Sequence, residues 1–456
     1  MIRQLLTLVL SILLALPLSA TTDSTRTSNL KLSLTILDFP YLTSTDQWFP
    51  SMQQSLEISK SFYHLGDYGI ESLSRKLVKS DSREVRFKRG LMNLMLDVPL
   101  TLLSIYVPGG YAWMHEEYHA VVGRNRGIDS YNEVNSFPFF KDFIAVTRVQ
   151  DEDLIRMKSR YNPDMVRMSS AGIEGQTDLS WGLQQDQFFY NTRPKMLIYW
   201  LAAFHSYRYI SSAAKNDVVS DEDYRLNENE LERDLVGWDP NAWVYDLFRP
   251  DESYHDRGVH PSGVGVDRYI QSNQLTEEEA DYLDKQASLS VISFVDPFLF
   301  GISKIRISNI HGQPLFANMN LKHYMTSFGH TINANVMFRH NELKGVLTFL
   351  NQRNYRNYFP GVSFSLVDLP VTLGRESILI SPRLIMWSQP EDQNFRTDSG
   401  QLGGLLGLSV VRSLSKNLFA SVTVEGKTAG WVASNPFLER NVSMRFGLRY
   451  LAPLAP

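Results

Sequence analysis

Apolar and polar positions alternate with a period of two through the last third of the chain. Ile332, Ala334, Val336 and Phe338 alternate with Asn333, Asn335 and Met337. Leu402, Gly404, Leu406, Leu408 and Val410 alternate with Gly403, Gly407 and Ser409, and Leu418, Ala420, Val422 and Val424 with Ser421, Thr423 and Glu425. In the last stretch Val442, Met444, Phe446, Leu448 and Tyr450 alternate with Ser443, Arg445, Gly447 and Arg449. Turn sequences such as Gln389-Pro390-Glu391-Asp392 and Ser413-Leu414-Ser415-Lys416 separate the segments. Roughly eight strands of this kind predict an antiparallel up-and-down β-barrel over residues 315–456. The face carrying Ser443, Arg445, Gly447 and Arg449 is too polar and small for a protein core. It suits a hydrated lumen, with the apolar face turned to lipid. The competing reading is a soluble antiparallel sheet with one face on a core.

The preceding part of the chain reads mostly as helix. A strand is expected at Leu30–Ile36, then an irregular helical pattern over 54–80. The apolar run 91–107 contains Asp97 and Pro99 and is short for a membrane span, so it reads as a buried or interfacial helix. Asn162-Pro163-Asp164 opens another helix. Met196–Ile210 is apolar and aromatic, and its His205 reads as a core residue. Residues 216–235 are acidic, a solvated helix or insertion. The Gly- and Pro-rich block 238–269 reads as an ordered surface loop of the kind that forms a lid. Thr276 and Glu279 form a capping box for a helix running towards Leu289. The fold class is therefore α+β multidomain: a helical region over 21–290, a connector over 291–314 and the barrel over 315–456.

Composition narrows the chemistry. The 456 residues carry a formal net charge of −4, which points to no nucleic-acid partner. With no cysteine, any metal site must be built from His, Asp and Glu. Residues 1–20 have the form of a signal peptide: Arg3, an apolar core from Leu5 to Leu18, and a Leu18-Ser19-Ala20 cleavage site. The expected setting is the bacterial cell envelope, at the outer membrane, with the periplasm as the alternative.

The sequence Met114-His115-Glu116-Glu117-Tyr118-His119 contains H-E-x-x-H. On a helix, His115 and His119 share a face and can offer imidazoles to one Zn²⁺ ion, with Glu116 near enough to act as general base on its water. A third protein ligand is needed. The metzincin spacing is excluded, because Gly123 falls one position late and no histidine follows nearby. Glu174 is the candidate, and the small residues 169–172 would let its helix approach the motif helix closely. Asp178, one turn on, would hold a motif histidine from behind.

H-E-x-x-H followed by Glu174 and Asp178 resembles the gluzincin metallopeptidases, most closely the membrane-associated CAAX-prenyl-protease-type group, in which the downstream ligand lies in E-x-x-A-D. The resemblance covers about residues 90–180, and Thr177 stands where the pattern has alanine. It implies His115, His119 and Glu174 as zinc ligands, Glu116 as general base and Asp178 as supporting aspartate. Tyr118, Tyr254, His255 and His260 are candidates for stabilising an oxyanion. The expected function is an exported, outer-membrane-associated zinc metallopeptidase-like protein acting on peptide or protein substrates. The alternative is a non-enzymatic outer-membrane or assembly protein whose histidines are structural or bind metal without turnover.

Overall fold

In the computed structural model, described residues are 28–42, 49–78, 83–137, 144–215, 227–374 and 376–454, with backbone alone for 83–87. The signal peptide expected at 1–20 lies outside them, as do residues 216–226 of the acidic stretch. The chain is mixed α and β, with eight helices and a large antiparallel sheet among the described residues.

The helices are α1 (Met52–Leu77), α2 (Arg83–Leu103), α3 (Tyr111–Arg124), α4 (Asp151–Arg160), α5 (Asn162–Tyr190), α6 (Met196–Ala214), α7 (Asp239–Phe248) and α8 (Glu277–Ser290). Local chemistry sets their ends. Ser51 and Gln54 form a capping box at α1, and Thr276 and Glu279 form the expected one at α8. Pro163 sits in the first turn of α5, which stops at Asn191 in the left-handed conformation. The apolar run begun at Leu91 forms α2, with Pro99 inside it and Leu91, Met95 and Leu103 exposed. Among the described residues no helix is long and apolar enough to cross a membrane.

The strands are β1 (Asn29–Phe39), β2 (Tyr131–Asn132), β3 (Val146–Thr147), β4 (Ile305–Ile310), β5 (Gln313–Thr326), β6 (Gly329–His340), β7 (Leu343–Arg353), β8 (Tyr358–Leu366), β9 (Leu369–Leu373), β10 (Glu376–Pro390), β11 (Gly400–Ser413), β12 (Leu418–Lys427) and β13 (Asn441–Pro453). β2 and β3 pair with each other, and the other eleven form one sheet. Its order is β1-β13-β12-β11-β10-β8-β7-β6-β5-β4, with β9 also on β10. The count exceeds the expected eight for two reasons. β1 and β4 come from outside residues 315–456, and the chain breaks between β8 and β9 at Asp368, where φ is +49°. The sheet is not closed: β1 and β4 are edges and do not pair. Asn191 is bonded from both sides of that gap, its carbonyl accepting from the Asn29 amide at 3.0 Å and its side chain from Lys304.

The two faces of the sheet invert the usual arrangement of a soluble protein. Outward residues are apolar and exposed, among them Leu402, Leu406, Met386, Phe349 and Ile307. Inward residues are mostly polar and buried, and many of their groups bond to α5 and to one another. Thr348 donates to Asn335 at 2.8 Å, Asn335 to Asn320 at 2.9 Å and Asn320 to Gln184 of α5 at 2.8 Å. Lys31 and Lys60 both pair with Asp186, and Arg449 and Tyr190 both reach Asp368 at 2.7 Å. α5, buried along most of its length, thus runs between the sheet and the remaining helices.

Candidate metal centre

α3 carries the motif and is buried from end to end. Gly110 starts it where the chain folds back on itself: a Cβ there would lie 2.0 Å from the Ser104 carbonyl oxygen. Four residues apart on one face, His115 and His119 bring their rings to a centroid distance of 4.8 Å. Both Nε2 atoms face one oxygen, Oδ2 of Asp239, at 2.9 Å from His115 and 3.1 Å from His119. The ligand atoms of these three buried side chains lie within 4.8 Å of one another, so the group could hold a metal ion.

Asp239 is delivered by a built turn. Asp234 accepts from the amides of Val146, Val236 and Gly237, at 2.9, 3.2 and 2.7 Å. Gly237 then takes φ of +78°, and a Cβ on it would meet the Arg268 carbonyl oxygen at 2.5 Å. Pro240 sets the first turn of α7, leaving Asp239 at its start. The Gly- and Pro-rich block at 238–269 is accordingly no surface lid at its beginning. α7 is wholly buried, because its aromatic residues, such as Trp243, pack into the core.

The approach of α5 completes the cluster. A Cβ on Gly172 would lie 2.3 Å from His119 Nε2 and 2.4 Å from His115 Nε2, and one on Gly175 would lie 2.8 Å from the Tyr118 ring. Of the small residues 169–172 expected to admit a close crossing, Gly172 does so, and Gly175, outside that run, adds a second close approach. His119 Nδ1 lies 2.5 Å from the Met168 carbonyl oxygen, the last full turn before Gly172. An Nδ1–H donated there leaves the Nε2 lone pair free for a metal. His115 Nδ1 is buried with no hydrogen-bond partner.

Glu174 is not at this point. It lies two residues beyond Gly172, about 200° round the helix, so it faces away from the histidines. It accepts from Arg167 at 2.9 Å and from the Ser434 amide at 2.9 Å. Asp178 likewise holds no histidine: Ser434, Tyr324 and Tyr118 hydroxyls donate to it at 2.5, 3.0 and 3.5 Å. The carboxylate that meets the pair is Asp239, and its separation of 120 residues from His119 hid it. The one signal in the sequence was an Asp-Pro at a helix start inside an aromatic block. Of the proposed oxyanion donors, Tyr118 points to Asp178, Tyr254 lies beside Arg257, His255 is exposed and His260 bonds Ser262. Two residues of α6 lie nearer the cluster. His205 and Tyr209 have ring centroids 6.1 and 6.2 Å from His115.

Charge in the metal-free cluster is strongly shared. Burial opposes a charged His119, but Asp239 and Glu116 outweigh it and push its pKa up to about 9. Burial also opposes a charged Asp239, yet His119 and His115 hold it well below the usual carboxylate range. Glu116 is raised well above its ordinary value by burial, then by Asp234 and Asp239. His205, beside Gln176 at 2.9 Å, is pushed down to about 3 by burial and by His115. Glu117 plays no part: it is tied to Arg124 and to Asn132. No family model, curated protein or solved structure matches the chain.

Proposed function

We propose that the chain is an exported zinc metallopeptidase-like protein that hydrolyses peptide bonds, held at the bacterial outer membrane by its sheet acting as a barrel. The observation that carries the reading is the convergence of His115, His119 and Asp239 on one point beneath Gly172. Two neutral imidazoles and a carboxylate form the three-ligand set of a catalytic zinc site. The reading keeps the reaction class of the gluzincin resemblance but not its ligand set, since Asp239 takes the place proposed for Glu174.

Bound by these donors, Zn²⁺ would supply a water acidic near neutral pH and a Lewis acid for a scissile carbonyl. The Met168 carbonyl orients His119, and the turn at Asp234 orients Asp239. Glu116, close enough to share charge with His119 and Asp239, takes a proton and returns it to the leaving amine. Tyr209 presents a phenol beside the same ligands and is the better-placed oxyanion donor. The exposed apolar outer face and polar inner face of the sheet support the membrane placement. Zinc determination on purified protein, followed by hydrolysis of a mixed peptide pool by parent and Glu116→Gln, tests the reading. Stoichiometric zinc with Glu116-dependent cleavage supports it.

One observation favours the alternative, a protein that binds metal without turnover. His115 and Glu116 are only 7% and 8% exposed, which leaves little room for a peptide. Zinc without cleavage of any peptide would select that alternative.

A further inference from the structure

A cavity of about 330 Å³ lies between α5, α1 and the inner face of β6, β7, β8 and β10. It is apart from the metal centre, opening beside α5 from Asp178 to Gln185 rather than at Gly172. Its volume falls at the lower end of the range for small-molecule sites. The side chains across its floor are in register: Asn335, Thr348, Ser363 and Ile385 form one cross-strand row, with Val346, Ser365 and Arg383 in the next.

The lining selects against most ligand classes. Its cations are already ion-paired, Lys60 with Asp186 at 2.9 Å and Arg383 with Glu425 at 3.3 Å, so an anion would have to compete with a carboxylate in place. The four floor strands each have neighbours on both sides, so a peptide finds no backbone edge to extend. An apolar ligand would offer nothing to the polar lining at Ser363, Ser365 and Gln352. Gln352, only 1% exposed, already has an Oε1 with no hydrogen-bond partner. What remains is a molecule rich in neutral hydroxyls with flat C–H faces. Such a molecule would use amides and hydroxyls for its rim, and the rings of Trp181, Tyr324, Trp387 and Trp431 for its faces.

We infer that this inner cavity is a binding site for a neutral saccharide of mono- or disaccharide size. It is independent of peptidase activity. The test uses full-length, zinc-loaded protein in detergent, titrated with maltose and with N-acetylglucosamine, and with trialanine and sulfate as comparators. Binding is read by calorimetry and by tryptophan emission. A saturable response to at least one sugar is expected, weakened at least about tenfold in Ser365→Phe, whose ring would occupy the cavity. Ser363→Val, a smaller change on the same strand, should weaken it in the same direction, and zinc content should stay at the parent level in both. Three results overturn the proposal: no saturable sugar response well above the millimolar range, an unchanged response in both folded variants, or tighter binding of trialanine or sulfate.

Discussion

Gly172→Ala removes no metal donor and no hydrogen bond, yet it should abolish metal binding. The added Cβ falls 2.3 and 2.4 Å from the two histidine Nε2 atoms, where ordinary contact begins at 3.4 Å. Each nitrogen must therefore retreat by about 1 Å, or α5 must lift from α3 by a similar amount. A zinc site tolerates roughly 0.2 Å around a Zn–N distance of 2.0–2.1 Å, so the required shift exceeds the tolerance about fivefold. Zinc affinity should fall by at least the roughly 10–100-fold that disturbed outer partners cost. Stability should change little by comparison. Overpacking costs about 1–3 kcal/mol, and the helix propensity of alanine over glycine returns about 0.8–1.0 kcal/mol. A net loss of about 0–2 kcal/mol leaves the variant folded. Competition for zinc against a chromophoric chelator, beside a urea melt of the metal-free protein, measures both quantities. A folded variant with zinc affinity within about threefold of the parent would refute the geometry, because the crossing of α5 over the histidines would then be looser than described.

Four other outcomes follow from the same structure. His119→Ala and Asp239→Asn should both lose zinc, whereas Glu116→Gln and Glu174→Gln should retain it by metal analysis; a Glu174→Gln protein without zinc would restore Glu174 as a ligand. In the metal-free protein, His119 binds its proton more tightly folded than unfolded, so its stabilising contribution is complete below about pH 6.5 and is lost as pH rises through about 9. Urea midpoints across that window should fall for the parent, and the fall should be smaller in Asp239→Asn. Leu406→Arg, on the exposed outer face, should cost about 2–4 kcal/mol of membrane-inserted stability if it lies near the midplane, while the parent should fractionate with outer membranes and migrate faster unheated than boiled. N-terminal sequencing of the exported protein should begin within a few residues of Thr21, and retained Met1 would remove the export reading.

The strands and the histidine pair were legible because both are local patterns. A period of two marks a sheet face, and a spacing of four marks a helix face, without knowledge of what lies opposite. The register of β10 to β13, with Leu408 opposite Val424 and Val422 opposite Phe446, keeps the alternation read from sequence. Asp239 was illegible for the opposite reason. Its role depends on a turn that Asp234 and Gly237 build against Val146 and Arg268, three segments with no pattern in common. Glu174 attracted notice through its small neighbours, and those neighbours do matter. The helix face they create belongs to Gly172, and Glu174 turns away from it towards Arg167. The place of β1 at an edge was hidden as well, since its partner β13 lies far along the chain.

The pairing of β1 with β13, from Asn29 opposite Pro453 to Phe39 opposite Met444, bears on how the molecule is assembled. Almost the entire chain separates the partners, so this contact carries the largest loop-closure entropy in the sheet. Every described helix and every other described strand is enclosed between them. Until the final strand is available, β1 has no ladder partner in the sheet, and α1, bonded to it through Ser61 and Ser33, has no further strand behind it. Loss of residues 441–453 would therefore do more than shorten the sheet at one end. It would unpair the strand at the other end of the sequence and expose the inward Lys31 and Thr35, making the last strand a completion signal for the whole chain.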